Sequence, residues 1–430
     1  MATELKIGLA GLGTVGAGLI SLLKDNAELI TARSGHLITV SAVSARDRHR
    51  DRGVDLSPYA WVDDATTLSE RNDVDVVVEL IGGSDGPALA LARKTLQAGK
   101  PFVTANKALI AHHGNELATL AHEGKTPIAF EAAVAGGIPI LKALRHGLSA
   151  NRIDSVSGIL NGTCNYILTV MERDGLPFEQ VLKAAQDMGY AEADPSFDID
   201  GVDAAHKTAI LAALAFGSRL RFESVAVEGI RSISPIDIDY ALELGYRIKL
   251  LGVAKRLGNE IEQRVHPCLV PETHPLAQVS DAFNAVVVEG GHVGRTVYEG
   301  AGAGAGPTAS AVVADLIDIA RGDKSPAFSI SPDAYEDLTP AALENHVGRY
   351  YLRLTVADRP GVVAEIGAIL RDEGVSMESL IQRGNHGESG VFFVLTTHET
   401  REEAIMKTIA KLENHDLVLA PPVMLRIKAL

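Results

Sequence analysis

The feature that most limits what this chain can fold into is a glycine turn near its start, Gly11-Leu12-Gly13-Thr14-Val15-Gly16. It reads G-x-G-x-x-G and lies between an apolar strand at 5–9 and a run of helical spacing at 15–23. In that setting the first glycine permits a tight turn. The second lets the backbone approach a pyrophosphate, and the third lets helix and strand pack closely. Unpaired N–H groups at the helix start then face the anion. Gly11, Leu12, Gly13, Thr14, Val15 and Gly16 are therefore the first candidate cofactor-binding residues. Strands are predicted at 36–43, 74–80, 101–104 and 128–131, with helices at 87–99 and 114–124. This alternation predicts an α/β fold that opens with a Rossmann-type, doubly wound parallel sheet.

The tip of the second strand bears on the cofactor. An NAD site usually carries a carboxylate there, bonded to the ribose 2′-hydroxyl. Here the strand ends Val43-Ser44-Ala45-Arg46-Asp47-Arg48. A guanidinium at Arg46 suits the 2′-phosphate of NADP. NADP is expected, with NAD left open.

Composition excludes several classes. The net charge of −15 argues against a nucleic-acid partner or an anionic membrane surface. Cys164 and Cys268 have no disulfide or zinc-site spacing and read as free thiols of a reducing compartment. No signal-peptide pattern precedes the first strand, and no apolar stretch is long enough to span a bilayer. A cytoplasmic location is expected.

Beyond residue 135 the pattern changes. A strand at 155–160, helices at 165–174 and 178–188, an acidic loop at 192–200, a long apolar helix at 202–216 and strands at 286–289 and 295–299 predict an α+β substrate and dimerisation domain. A helix at 307–321, opened by Pro307, puts Val312, Leu316 and Ile319 on one face and is expected to return to the cofactor domain. After a stretch rich in Ser, Pro, Asp and Asn, residues 350–427 read strand, helix, strand, strand, helix, strand, a ferredoxin-like order. The expected domains are 1–135 with the returning helix 306–322, then 136–305, a linker at 323–348, and 349–430.

The middle region also holds candidate chemistry. Oxidising an alcohol by hydride transfer requires removal of the hydroxyl proton, and a partly desolvated lysine can carry it in both directions. Lys207 follows Asp203 at i,i+4 on the apolar helix, so the two share a face. Lys107 follows a parallel strand, at the sheet edge where substrates meet cofactors. Glu192, Asp194, Asp198, Asp200 and Asp203 would suit an ammonium group. A helical surface ion pair, a lysine capping a strand and a solvated acidic loop are the plainer alternatives. His206 is read as facing solvent.

Three segments resemble homoserine dehydrogenases. They are Val103-Thr104-Ala105-Asn106-Lys107-Ala108, then Gly158-Ile159-Leu160-Asn161-Gly162-Thr163-Cys164-Asn165-Tyr166-Ile167-Leu168, and Gly189-Tyr190-Ala191-Glu192-Ala193-Asp194-Pro195-Ser196-Phe197-Asp198 continuing to Lys207. Their order and spacing fit that family along the whole chain. The resemblance implies Lys207 as general acid/base, with Lys107 beside the nicotinamide and sharing the catalytic role. It implies Glu192 and Asp203 as substrate ligands, supported by Asp198, and Gly189 and Gly304 as further cofactor contacts. It also implies a monovalent cation, Na+ or K+, held by Glu131 and the carbonyls of Val134, Gly136 and Ile138.

The C-terminal module resembles an ACT domain, whose first loop matches Asp358-Arg359-Pro360-Gly361-Val362. An amino-acid effector is implied there, most naturally threonine. The expected reaction is reversible, NAD(P)-dependent conversion of L-homoserine to L-aspartate 4-semialdehyde in threonine, methionine and isoleucine biosynthesis, by a homodimer or homotetramer. Because the dinucleotide fold starts at once, no fused kinase is expected before it. Two alternatives stay open: a dehydrogenase for another small amino-acid aldehyde, and a non-catalytic amino-acid and nucleotide sensor.

Overall fold

Six parallel strands form the first sheet: β1 (Thr3–Ala10), β2 (His36–Ser44), β3 (Ala60–Trp61), β4 (Val76–Glu79), β5 (Phe102–Thr104) and β6 (Ile128–Ala129), in the order β3-β2-β1-β4-β5-β6. Ile7, Leu9, Val76, Val77, Val78, Phe102 and Val103 are fully buried, as expected for short apolar strands covered on both faces. The helices between them are α1 (Thr14–Asp25), α2 (Ala27–Ser34), α3 (Pro87–Gln97) and α4 (Lys107–Glu123). The strand order reverses between β1 and β4, which opens a crevice at the carboxyl ends of the strands.

This computed structural model describes residues 3–383 and 390–429. Parts of two expected domains, residues 1–2 of the first and residues 384–389 and 430 of the last, lie outside the described residues. Among the described residues no helix is long and apolar enough to cross a membrane. Both cysteines are free and buried.

The second sheet runs through the rest of the molecule. Its longer strands are β7 (Ile153–Ile159), β8 (Tyr246–Leu257), β9 (Glu260–Pro271), β10 (Phe283–Gly290), β11 (Gly294–Ala301), β12 (Val347–Val356), β13 (Met377–Arg383), β14 (Val391–Thr397) and β15 (Val418–Ile427). Along the sheet they lie β11-β10-β7-β8-β9-β15-β12-β14-β13. Helices α5 (Gly162–Asp174), α6 (Phe178–Asp187), α7 (Val202–Phe216) and α8 (Pro235–Glu243) belong to the middle region. Helix α7 packs on β8 and β9 and is buried along nearly its whole length. Helix α9 (Ala305–Ala320) returns to the first sheet, where Ala309, Val312 and Leu316 join the core around Leu19, Ile20 and Leu23. Helices α10 (Val362–Asp372) and α11 (Glu402–Glu413) complete a ferredoxin-like βαββαβ module.

Sequence patterning missed the long β8–β9 hairpin. Lys249, Lys255, Glu262, Arg264 and His266 interrupt its apolar residues, so neither a continuous run nor a clean alternation shows. It also placed the start of α4 at 114. The helix begins at Lys107, because the Asn106 side chain accepts a bond from the Leu109 N–H at 3.1 Å and caps it there.

The C-terminal module is continuous with the middle region. β9 pairs with β15 through Cys268 with Arg426 and Leu269 with Ile427. Residues 323–348, read as a linker, lie against the body. Phe328 is fully buried, with its ring 5.5 Å from that of Phe130, and the Thr339 and Ala341 N–H groups bond to the carbonyls of Asn259 (3.1 Å) and Ile261 (2.9 Å).

A buried charge network fastens the seam. Arg264 donates to Glu262 at 2.6 Å and to Glu402 at 3.4 Å, and it also meets His346. Arg426 donates to both oxygens of Glu402 and, at 3.0 Å, to Glu228. The Arg264 side chain is only 4% exposed, and those of Glu262 and Glu402 are 8% and 5% exposed. Removing one partner of such a network leaves uncompensated buried charge. Arg264→Met should therefore cost roughly 3 kcal/mol or more and lower the thermal midpoint clearly. An unchanged midpoint would show that the network contributes no net stability.

Candidate active site

The glycine turn is built as its spacing requires. Gly11 has φ +101°, and a Cβ there would strike the Leu80 carbonyl. A Cβ on Gly16 would strike the Gly11 carbonyl. Gly13 has nothing within 4 Å of an added Cβ, so the side from which a phosphate would approach is open. It is also the N-cap of α1, with no side-chain cap bond, so the first N–H groups of that helix remain available. Leu12 is buried, whereas Thr14 is exposed. Arg46 lies exposed at the tip of β2, with no hydrogen bond or ion pair to hold it among the described residues. Arg52 folds back instead, donating to the Leu12 carbonyl at 3.1 Å.

The two candidate lysines meet on one carboxylate. Asp203, 3% exposed on the first turn of α7, accepts from Lys107 Nζ at 2.9 Å through Oδ1 and from Lys207 Nζ at 2.7 Å through Oδ2. Lys207 also donates to the Leu160 carbonyl at 2.7 Å. The Asn161 Nδ2 donates to Asp203 Oδ2 at 2.9 Å and to Asp198 Oδ1 at 2.7 Å. Thus α4, the end of β7, the acidic loop and α7 each supply one part.

Burial opposes charge on all these groups, and the neighbours decide the outcome. For Asp203, the two ammonium groups outweigh burial and hold its carboxyl well below the usual carboxylate range. For Lys207, burial, aided by repulsion from Lys107, outweighs Asp203 and lowers the ammonium pKa. For Lys107, burial is more than offset by Asp203, with Asp198 and Glu192 adding to it, so its pKa is raised. Burial raises the Asp198 carboxyl, and the Asn161 bond offsets part of that. One lysine is therefore easier to deprotonate than usual and the other harder, which is the division a proton carrier and a fixed cation need.

A cleft of roughly 550 Å³ opens beside this array, lined by Gly82, Gly83, Asn106, Lys107, Phe197 and His206 among others. The Phe197 ring lies 5.6 Å from Lys107 Nζ, close enough for a cation–π contact. His206 is not solvent-facing as read from sequence. It is 3% exposed, packs against Phe222 at 4.4 Å and His112 at 5.2 Å, and burial lowers its pKa to about 4. The two polar flanks of α7 cannot both reach water, because β8 and β9 cover one side and α4 the other. Glu192 is exposed on the acidic loop, close enough to act on the Lys107 charge.

Other candidates lie outside the lysine array. Gly189 (φ +78°) follows α6, and Gly304 (φ +117°) caps α9; both are exposed. Glu131 is buried in the turn after β6, and burial, with repulsion from Asp315, raises its carboxyl to about 7. Its oxygens accept from the Leu141 N–H at 3.0 Å and the Lys142 N–H at 2.8 Å. The Ile138 carbonyl accepts from Ile140 at 2.8 Å. The carbonyls of Val134 and Gly136, both buried residues, accept no hydrogen bond among the described residues. A carboxylate with unpaired buried carbonyls is a donor set that fits a monovalent cation.

Sequence reasoning missed Asn161, Phe197 and the Leu160 carbonyl as parts of the site. The first had a usable signal. Asn before Gly-Thr-Cys at the start of a helical run is an N-cap, and its Oδ1 does accept from the Cys164 N–H at 2.8 Å.

Family comparison follows the same division. The family model described as homoserine dehydrogenase matches residues 139–317, that of its NAD binding domain residues 11–131, and that of the ACT domain residues 350–414. The chain is 49% identical to a homoserine dehydrogenase of Neisseria gonorrhoeae over 99% of this chain and 98% of that one. It is 46% identical to one of Pseudomonas aeruginosa over 99% of each. Among solved structures, a homoserine dehydrogenase from Thiobacillus denitrificans superposes with a TM-score of 0.94 at 46% identity, covering 99% of this chain and 98% of that one. A hyperthermophilic archaeal homoserine dehydrogenase in complex with NADPH superposes at 0.63 with 25% identity, covering 74% and 97%.

The glycine turn yields a direct check. Gly13→Ala should leave the thermal midpoint in place and weaken dinucleotide binding by about tenfold or more, some 1.4 kcal/mol. Gly16→Ala should instead lower the midpoint, because its Cβ meets backbone. Equal loss of stability in both would contradict the open approach at Gly13.

Proposed function

The chain belongs to the homoserine dehydrogenase family, and on that premise we propose that it interconverts L-homoserine and L-aspartate 4-semialdehyde with NADP(H) in preference to NAD(H). The observation that carries this reading is the Lys107–Asp203–Lys207 array beside an open cleft at the edge of a dinucleotide-binding sheet. A bound dinucleotide would supply the hydride acceptor for the alcohol carbon and the hydride donor for the aldehyde. Lys207, neutral, accepts the hydroxyl proton at Nζ; charged, it gives the proton back. Lys107, held charged, stabilises an oxygen that gains negative charge. Exposed Glu192 is assigned to the substrate ammonium, with Asp198 in support. Asp203 is assigned to the lysines rather than to the substrate, because both its oxygens are already engaged by Lys107, Lys207 and Asn161.

The remaining assignments have separate support. Free Arg46 favours the 2′-phosphate, in keeping with the NADPH complex of the archaeal relative. Gly189 and Gly304 let backbone come close to the cofactor. Glu131 with the carbonyls of Val134, Gly136 and Ile138 would hold Na+ or K+, which would satisfy buried carbonyls and keep Glu131 ionised. The ACT module would sense threonine where Gly361, at φ +94°, opens α10 and offers unpaired N–H groups to a carboxylate. The edge strand β11 is the surface assigned to pairing of subunits into a homodimer or homotetramer. The division into 1–135 with 306–322, 136–305, 323–348 and 349–430 serves these roles.

An assay at 340 nm with L-homoserine and either NADP+ or NAD+ tests the proposal. Turnover should fall about 10²-fold or more in Lys207→Ala, and Arg46→Ser should cut the NADP/NAD ratio of kcat/KM by about tenfold, the worth of one charge-assisted bond. A folded protein that binds NADPH yet gives no turnover would overturn it.

A further inference from the structure

The role of Lys207 needs Asp203 ionised and fixed, yet a second carboxylate, Asp198, stands beside it and repels it. Asn161 lies between the two. Its side chain is 4% exposed, and every polar atom of it is used. One Nδ2 hydrogen goes to Asp198 Oδ1 at 2.7 Å and the other to Asp203 Oδ2 at 2.9 Å. Its Oδ1 accepts from the Cys164 N–H at 2.8 Å at the start of α5. That last bond fixes which way the amide points, since a flipped amide would set an oxygen against two carboxylates. The Leu160 carbonyl, one residue earlier, accepts a hydrogen bond from Lys207 Nζ at 2.7 Å.

We infer that Asn161 is a positioning residue of the proton-transfer site, its amide bridging the Asp198 and Asp203 carboxylates so that Asp203 can hold Lys107 and Lys207 at once. A neutral double donor is the one group that can join two anions without adding charge. An aspartate or glutamate here would repel both. A lysine or arginine would add a third cation beside Lys207. The charged and titratable groups facing Lys207 are Asp203 and His206 from its own helix, Lys107 from α4, Asp198 from the acidic loop and Cys164 from α5. Asn161 thereby sets the charge count around Lys207 at two anions and one other cation. The inference rests on the proposed proton-carrying role of Lys207.

Asn161→Asp tests it, because the new carboxylate keeps an oxygen for the Cys164 N–H while removing both donated bonds and adding a charge. Negative charge favours protonated Lys207. The acid limb of the pH profile for homoserine oxidation should move up by about one pH unit, the usual size for a neighbouring charge. At a pH below the limb, oxidation should slow by about tenfold, whereas aldehyde reduction at alkaline pH should quicken. Simple damage to the fold would slow both directions. Asp198→Asn removes one of the bridged charges and should move the limb down, which keeps the test decisive if Asn161→Asp does not fold. A limb that disappears in Lys207→Ala but stays in place in Asn161→Asp, or rates that fall in parallel in both directions, would overturn the inference alone. A limb that survives Lys207→Ala would remove the proton-carrier reading and the inference with it.

Discussion

A carboxylate 3% exposed stays ionised at Asp203 because two ammonium groups and an amide meet it inside the protein. Each of those groups comes from a different element. Desolvating such charges is costly, and the cost is recovered only when geometry is good and every lone pair is satisfied. The array therefore requires α4 to begin at Lys107, β7 to end just before Leu160, and α7 to start with Asp203 facing inward. Much of the fold serves those three requirements. The Asn106 cap fixes the first, the Asn161 cap and bridge fix the second, and burial of α7 against the β8–β9 hairpin fixes the third.

The same hairpin carries the C-terminal module. β9 packs against α7 on one side and pairs with β15 along its edge. The Arg264–Glu262–Glu402–Arg426 network then ties its even-numbered residues to α11 and β15. The C-terminal module and the helix that holds Lys207 both contact one strand, β9. A change of packing in the module would reach α7 through β9, and this is the physical route by which a signal from one could bias the other.

Legibility in the sequence followed locality. The glycine turn, the alternating first region and the ferredoxin-like module rest on short-range periodicity and turn chemistry, and the structure has all three. The pairing of Asp203 with Lys207 was visible as i,i+4 spacing. What Lys107 and Asn161 bond to was not, because those contacts join residues far apart in the chain. The β8–β9 hairpin was hidden for a related reason. Lys249 and Arg264 are buried there through partners such as Asn165 and Glu402, which no local window contains. His206 was misjudged by the same logic: a polar residue on an apolar helix reads as exposed until α4 is seen to cover it.

Burial and the Lys107 charge leave Lys207 with a lowered pKa, while Asp203 opposes that shift and holds the lysine in a working geometry. The most direct measurement is an NMR titration of the Lys207 ε-methylene in protein labelled with 13C-lysine, in the unaltered protein and in Asp203→Asn. Lys207 is expected to titrate below the ordinary 10.5 of a lysine, and lower still once the Asp203 charge is gone. Titration at or above that value, unmoved by Asp203→Asn, would contradict this.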